Sequence, residues 1–403
     1  VEFALRENNT GSYPRGLLLM LRALTTWLYD GDPITALAFE APLQAVKERV
    51  HSGDPFFENL IRQYLLENPH RVTVILEPDA EEGRRREARE QARLAQARAA
   101  MSEADIQRLV AQTRELQRLQ STPDSPEALA TIPTLSLSDL ERQTRRIPIE
   151  TETVGESTLL YHDLFTNGIL YLDLAFDLHT LPAEDLPLVP LFGRALTEMG
   201  THTEDYIRLL QRIGQTTGGI HAERFFSARR GDEQGEAWLI LRGKATLDHT
   251  DDLLSIMRDL LFDVHLDNPE RFLQMAQESK ARLEASLVPG GHQYVNRRLN
   301  AHLHTAGWAS EQTSGLAALF FLRQLVEQIS TDWPAVLARL ERIRDTILRQ
   351  ASVVANVTLD AQNWQALRPR VREFLQGIPV AAAKRVRWTG EQYPSGEGFS
   401  IPA

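Results

Sequence analysis

A chain of 403 residues, 42% hydrophobic and 25% charged, is long enough for a sizeable core and for two or three folding units. A formal charge of −11 excludes a general phosphate-binding surface, because cation–phosphate contacts dominate affinity for nucleic acid. The absence of cysteine excludes disulfides, thiolate metal sites and cysteine nucleophiles, and no apolar run reaches the ~20 residues that span a bilayer.

Val1–Arg6 reads as an element entered midway, and Glu397–Ala403 reads as a strand about to begin, so the sequence is expected to be an excerpt of a longer polypeptide. Leu17, Leu21, Leu24 and Leu28 recur at helical spacing, with Leu18 and Trp27 widening the apolar face, until Asp30-Gly-Asp-Pro33 turns the chain. Leu43, Val46 and Val50 mark a second helix; Phe57, Leu60, Ile61 and Leu65 mark a third. Val72-Thr-Val-Ile-Leu76 is β-branched and lies between Pro69 and Pro78, which predicts a strand.

Residues 81–120 are dense in Arg, Glu, Gln and Ala, all good helix formers. Ser102-Glu-Ala-Asp105 resembles a capping box, so two polar helices in an antiparallel hairpin are expected. Such a charge run is the signature of a solvated face. The proline-punctuated stretches Ser121–Pro126 and Thr131–Pro133 read as a linker.

From about 137 to 378 the pattern is α/β. Arg146–Thr153 and Ser157–His162 predict a hairpin around Gly155. Leu170, Leu172, Leu174, Phe176 and Leu178 occupy alternate positions, which puts them on one buried face of a strand. Thr203 is the expected cap of a helix that Gly214 ends. Ile220–Ala228 and Glu236–Thr246 pair around Arg230–Gly235. Leu253, Leu254, Met257, Leu260 and Leu261 make an amphipathic helix, and Asn268-Pro-Glu270 supplies a cap and N1 proline for another. Helices are expected over Leu299–His304, Leu316–Ile329 and Ala335–Leu348, then a strand over Ser352–Leu359 and a helix ending near Gly377. The stretch Val72–Ala80 echoes Val354–Ala361, as in a chain built from repeats of one domain.

Candidate chemistry is sparse. His302 and His304 form an H-x-H pair, but on a helix residues two apart point to different faces, so joint coordination is not expected. His51–Asp54, His202–Asp205 and His249–Asp252 sit near helix starts, where capping accounts for them. No H-E-x-x-H or H-x-x-E-H occurs. Gly214–Gly219 lacks the Gly-Lys-Ser/Thr of a phosphate loop and reads as a helix stop.

A family resemblance adds to this. Val1–Gly11, Asp30-Gly-Asp-Pro33, Asn68-Pro-His-Arg71, Ala100–Asp105, Tyr161–Asn167, Leu186–Phe192, Glu198-Met-Gly-Thr201 and Ala306–Gln312 resemble, in order and spacing, the presequence-protease family of the pitrilysin/insulinase superfamily. The resemblance implies an α/β fold of the α+β type, a pitrilysin-like domain repeat with helices packed on a mainly antiparallel sheet, preceded by a helical hairpin linker. It assigns 1–80 to the end of a second domain, 81–136 to the hairpin and Pro-rich linker, 137–380 to a third domain and 381–403 to the threshold of a fourth. It further implies that the parent is a zinc metalloendopeptidase acting on short unstructured peptides. The family's inverted H-x-x-E-H helix precedes a Gly-Ser or Gly-Thr, and the equivalent helix here precedes Gly200-Thr201. The ligand and base positions then fall on Leu191, Arg194 and Ala195, none of which can serve. No catalytic, metal or cofactor-binding residue is therefore expected in this segment, and zinc is expected in the parent only. Arg387 and Tyr393 mimic a pair that the family carries further downstream and are set aside as a decoy. The expected partners are the N-terminal catalytic half, the fourth domain and unstructured peptides, without nucleic acid or membrane. The compartment is left open by the sequence; the resemblance implies a soluble protein, cytoplasmic in a bacterium or organellar in a eukaryote. The rival reading is a catalytically dead binding or assembly module, which an upstream H-x-x-E-H would rule against.

Overall fold

The computed structural model describes residues 1–7, 9–144, 146–350, 353–379, 384–390, 393–394 and 396–399. In chain order it forms α1 (Glu2–Glu7), α2 (Arg15–Trp27), α3 (Glu40–His51) and α4 (Phe56–Ile61), the last continued by a π-helical turn over Arg62–Leu66. Then come α5 (Glu82–Ala99), α6 (Glu103–Ser121) and α7 (Pro126–Leu129), followed by β1 (Glu150–Val154), β2 (Ser157–Asp163) and β3 (Ile169–Asp177). The helices α8 (Val189–Glu198) and α9 (Tyr206–Thr216) lead into β4 (Ile220–Arg229) and β5 (Asp232–Thr246). The remainder is α10 (Thr250–Phe262), α11 (Pro269–Ser286), α12 (Gly291–Asn300), α13 (Thr305–Ser314), α14 (Leu316–Thr331), α15 (Trp333–Gln350), β6 (Val353–Leu359) and α16 (Ala361–Gln376).

The chain divides into two compact units, one of residues 1–40 with 147–403 and one of 41–146. The larger unit holds one six-stranded sheet in the order β1-β2-β6-β3-β5-β4. Its β2–β6 pair is parallel and the other pairs are antiparallel. Alternation along β3 does what the sequence predicts: Leu170, Leu172, Leu174 and Phe176 are all buried on the helix-covered face. Leu174 lies between Leu241 of β5 and Ala355 of β6, both buried. The opposite face carries Tyr171, whose hydroxyl donates to Glu7 Oε1 at 3.2 Å, beside a 2.6 Å ion pair from Lys244 Nζ to the same atom. Burial and the Glu7 charge push the Tyr171 phenol up to about 12. The far end of the Phe3 ring of α1 sits against Gly218, where a Cβ would stand 2.1 Å from Phe3 Cζ.

The unit of residues 41–146 is organised differently. None of its described residues is buried. Helix α6 has the expected capping box, with the Ser102 hydroxyl accepting from Asp105 N and the Asp105 carboxylate accepting from Ser102 N.

Four expectations are corrected. Val72–Leu76 is not a strand: its backbone finds no ladder partner among the described residues, and Val72, Val74, Ile75 and Leu76 are exposed. β-branching favours a strand only where a neighbour supplies the ladder. The cap of α9 is Asp205 rather than Thr203, its carboxylate accepting from Arg208 N at 2.8 Å. Gly214 does not end α9, which runs to Thr216; the left-handed glycine that follows is Gly219, with φ 105°. Finally, Leu299–His304 is not one helix. Residues 301–303 are a turn between α12 and α13, and α12 begins at Gly291, where a Gly-Gly pair had hidden it. The C-terminal residues 400–403 lie outside the described residues.

Candidate functional site

Helix α8 is the element that the resemblance leads one to compare with the metal-binding helix of such peptidases. Pro190 sits in its first turn, where a missing N–H costs nothing. Its apolar positions Leu191, Phe192, Ala195 and Leu196 face the sheet and are buried. Gly193 permits the close approach to β4, since a Cβ there would meet Ala222 Cβ at 3.0 Å. The turn after the helix needs Gly200: its φ is 87°, and a Cβ would lie 2.6 Å from the carbonyl oxygen of Glu204.

Leu191 and Ala195 offer no lone pair to a metal and fill the core instead. Arg194 is fully engaged. Its Nε and Nη2 donate to Glu198 at 2.9 and 2.6 Å, Nη2 also reaches Glu278 at 3.1 Å, and Nη1 donates to Ser279 Oγ at 2.8 Å and the Met275 carbonyl at 3.1 Å. These partners, Glu198 foremost, hold the guanidinium pKa above its ordinary value. The network ties α8 to α11, with Arg271 Nε of α11 donating to the Glu198 carbonyl at 3.1 Å. The residues at this position therefore do not fit a metal ion, and what they can do is hold two helices in register. Among the described residues no group of three or more His, Asp or Glu side chains is placed to hold a metal.

A second cluster closes the end of β3. Residues 384–390 have neither helix nor strand, yet they are anchored along their length. Arg385 Nε donates to Asp177 Oδ2 at 2.6 Å, Val386 N to the His179 carbonyl at 2.6 Å, and Trp388 Nε1 to the Leu181 carbonyl at 2.9 Å. Trp388 is 2% exposed and stacks on His179 with centroids 4.4 Å apart. Burial raises the Asp177 carboxyl pKa, but hydrogen bonds from His179 and Arg385 outweigh it and leave the group below its ordinary value. Gln234 completes the attachment by exchanging hydrogen bonds with the Trp388 backbone, accepting at 2.8 Å and donating at 3.2 Å.

The third cluster is built on Glu311 of α13, which is completely buried. Its Oε1 accepts from Arg298 Nη1 at 3.1 Å and from Ala317 N at 3.1 Å. Arg298 also reaches Glu397 at 2.6 and 2.8 Å, and its guanidinium lies over the Tyr393 ring. Alongside lies an apolar cavity of about 600 Å³, walled by α12, α14, Pro394 and Glu397–Phe399.

His202, His249, His302 and His304 have structural neighbours. His304 Nδ1 caps α13 by accepting from Gly307 N at 2.8 Å. His302 meets the Tyr393 ring edge-on at 5.9 Å, so the H-x-H pair serves two different neighbours. His249 pairs with Asp252 at 2.7 Å, whereas His202 packs against His265 rather than Asp205, with centroids 5.1 Å apart. Asp54 pairs with Arg49 at 2.9 Å, not with His51. Arg387 bonds to Glu233 and Tyr393 to Gln312, so these two are held by separate partners.

Residues 76–325 match the family described as associated with subfamily C of the M16 peptidases. Over its whole length the chain is 39% identical to presequence protease 1, chloroplastic/mitochondrial, of Arabidopsis thaliana, covering 38% of that protein. Over 93% of its length it is 29% identical to protein HypA of Clostridium perfringens, again covering 38%. A solved structure of a peptidase M16 inactive domain from Pseudomonas fluorescens overlaps 61% of the chain and 54% of its own at a TM-score of 0.38 and 15% identity. The chain thus spans under half the length of these two sequence relatives.

Proposed function

This chain belongs to the family associated with subfamily C of the M16 peptidases, and on that premise we propose that it is the non-catalytic support of a larger zinc metalloendopeptidase that degrades short unstructured peptides. The observation that carries this is α8. The helix where such an enzyme would carry ligands and base has Leu191 and Ala195 in the core and Arg194 in a four-partner network tying it to α11. Arg194 is permanently charged and cannot act as a proton acceptor. A metal-bound water and a carboxylate base would come from another part of the polypeptide.

In this proposal 137–380 is a degenerate repeat forming part of the chamber wall, 81–136 the hinge hairpin, 1–80 the end of the preceding repeat and 381–403 the lead into the next. Residues 72–76 would gain from the preceding repeat the ladder partners they lack here, which accounts for an apolar, β-branched stretch left in water.

The test is reconstitution with the remaining portion of a full-length relative. Peptide hydrolysis is expected only when both parts are mixed, and Arg194→Leu is expected to lower the stability of this chain without changing the turnover of the assembled pair at a temperature where both are folded. If the other portion turns over peptide at the full rate by itself, the supporting role is wrong.

A further inference from the structure

The sheet ends at β4, and between β4 and α12 runs an open groove of about 610 Å³. Its walls are polar: Gln293, Asn296, Arg297 and Asn300 come from α12, His304 from the start of α13, and Phe226 from β4. No carboxylate is among the described lining residues, in a chain with 55 acidic and 44 basic residues. The partners of Arg297 are neutral: it donates to the Ser314 carbonyl at 2.8 Å and its guanidinium lies 5.7 Å from the centroid of the Tyr294 ring.

Arg224 stands beside it. It precedes Phe226 by two residues on β4 and so shares its face. Its cross-strand neighbour Leu239 is a core residue, but Arg224 itself, on the edge strand, is exposed to solvent. No hydrogen bond or ion pair to Arg224 is formed among the described residues. Although the Arg224 side chain is exposed, crowding of protein atoms around its guanidinium and then the charge of Arg297 lower its pKa, against a smaller opposing pull from its chain neighbour Glu223. Two guanidinium groups thus face each other's charge without a bonded counter-charge, while every arginine of the α8 and Glu311 clusters has a carboxylate. Arg224 and Arg297 are matched to a carboxylate arriving from outside, because guanidinium–carboxylate bonds are both charge-assisted and directional. The side-chain amides of Gln293, Asn296 and Asn300 each carry a donor and an acceptor, the pair a peptide backbone presents.

We infer that the groove between β4 and α12 is a subsite for the carboxylate of an extended peptide, with Arg224 and Arg297 as its anion-binding groups. This rests on the reading of the unit as one that meets peptides. The carboxylate is either the peptide's C-terminus or an aspartate or glutamate side chain.

The experiment is fluorescence anisotropy of the 403-residue chain with three short labelled unstructured peptides of one length. The first bears aspartates and a free C-terminus, the second has its C-terminus amidated, and the third has asparagines for the aspartates. The first is expected to bind about tenfold more tightly than whichever variant lacks the recognised carboxylate, the gain of a charge-assisted bond. Arg224→Gln should erase that preference while leaving the weaker peptide's affinity unchanged. This substitution removes no internal hydrogen bond, so misfolding does not confound it; Arg297→Gln should act in the same direction. Equal binding of all three peptides, or a preference that survives Arg224→Gln, overturns the subsite alone. Failure of every peptide to bind contradicts both the subsite and the broader reading. A single-stranded oligonucleotide that displaces the first peptide at physiological salt would reassign the groove to phosphate.

Discussion

Residues 169–177 and residues 72–76 are both rich in apolar side chains, and both are bounded by turn-forming residues. The first stretch is β3, flanked on both sides by ladders to β5 and β6, with Leu172 and Leu174 fully buried. The second forms no strand, and Leu76 is 91% exposed. The difference lies in partners rather than in propensity. A strand's backbone groups need a neighbour to be satisfied, whereas a helix satisfies its own. That is why α5 and α6 stand as regular helices in a unit without a buried residue, while the strand-like stretch in the same unit does not form. Residues 384–390 make the converse point: without regular structure, they still bury a tryptophan because the end of β3 offers them carbonyl, carboxylate and ring partners.

The contrast should break by the widest margin at the buried tryptophan. Trp388→Ala should cost about 3–5 kcal/mol, the range for a buried tryptophan, and free the strap. Trypsin should then cut at Lys384, Arg385 or Arg387 in the variant while leaving the native chain intact there. An unchanged digestion pattern would mean that the strap is held without its ring. Leu174→Ala should destabilise by about 2–5 kcal/mol in urea unfolding. Val74→Ala should fall within about 0.5 kcal/mol, the range of a surface change. A Val74 effect as large as that of Leu174 would show that 72–76 is packed after all.

A pH series sharpens the strap's role. Asp177 has its pKa lowered in the folded state, so its contribution is present above the unfolded carboxyl value of 3.8 and is lost as pH falls through the lower folded value. The stability gap between the native chain and Asp177→Asn should therefore be constant near neutrality and narrow in acid, measured by denaturant unfolding at each pH. A gap that widens in acid would have the wrong sign. Ser102→Ala removes the α6 cap at a cost of about 1 kcal/mol, well below the core substitutions, and should appear as lost helical ellipticity.

What the sequence disclosed follows the same line between self-contained and partner-dependent structure. The caps Ser102 and Asn268 and the N1 proline Pro269 are local chemistry and were legible as such, whereas Pro126, read as linker, opens α7. The β3 core was legible because alternation over nine residues leaves one arrangement that buries every leucine. Thr203 and Asp205 compete for one cap, and the choice depends on the turn at Gly200, which sequence spacing does not encode. The Gly290–Gly291 pair masked the start of α12, and with it the grouping of Asn296, Arg297 and Asn300 on one groove. Arg224 and Arg297 are 73 positions apart in the sequence, and only the fold, in which α13 packs on both β4 and α12, gives them a common setting. Leu191, Arg194 and Ala195 are ordinary helix residues, and only the family resemblance gives their lack of metal-binding groups a meaning.

The most direct measurement is hydrolysis of a fluorogenic unstructured peptide by this chain alone with zinc added, in the presence and absence of a chelator. No turnover above background is expected in either condition, because α8 holds a core and an arginine network where ligands and base would stand. Turnover that the chelator abolishes would mean that a working metal site exists in this chain, and the reading of it as a support would be wrong.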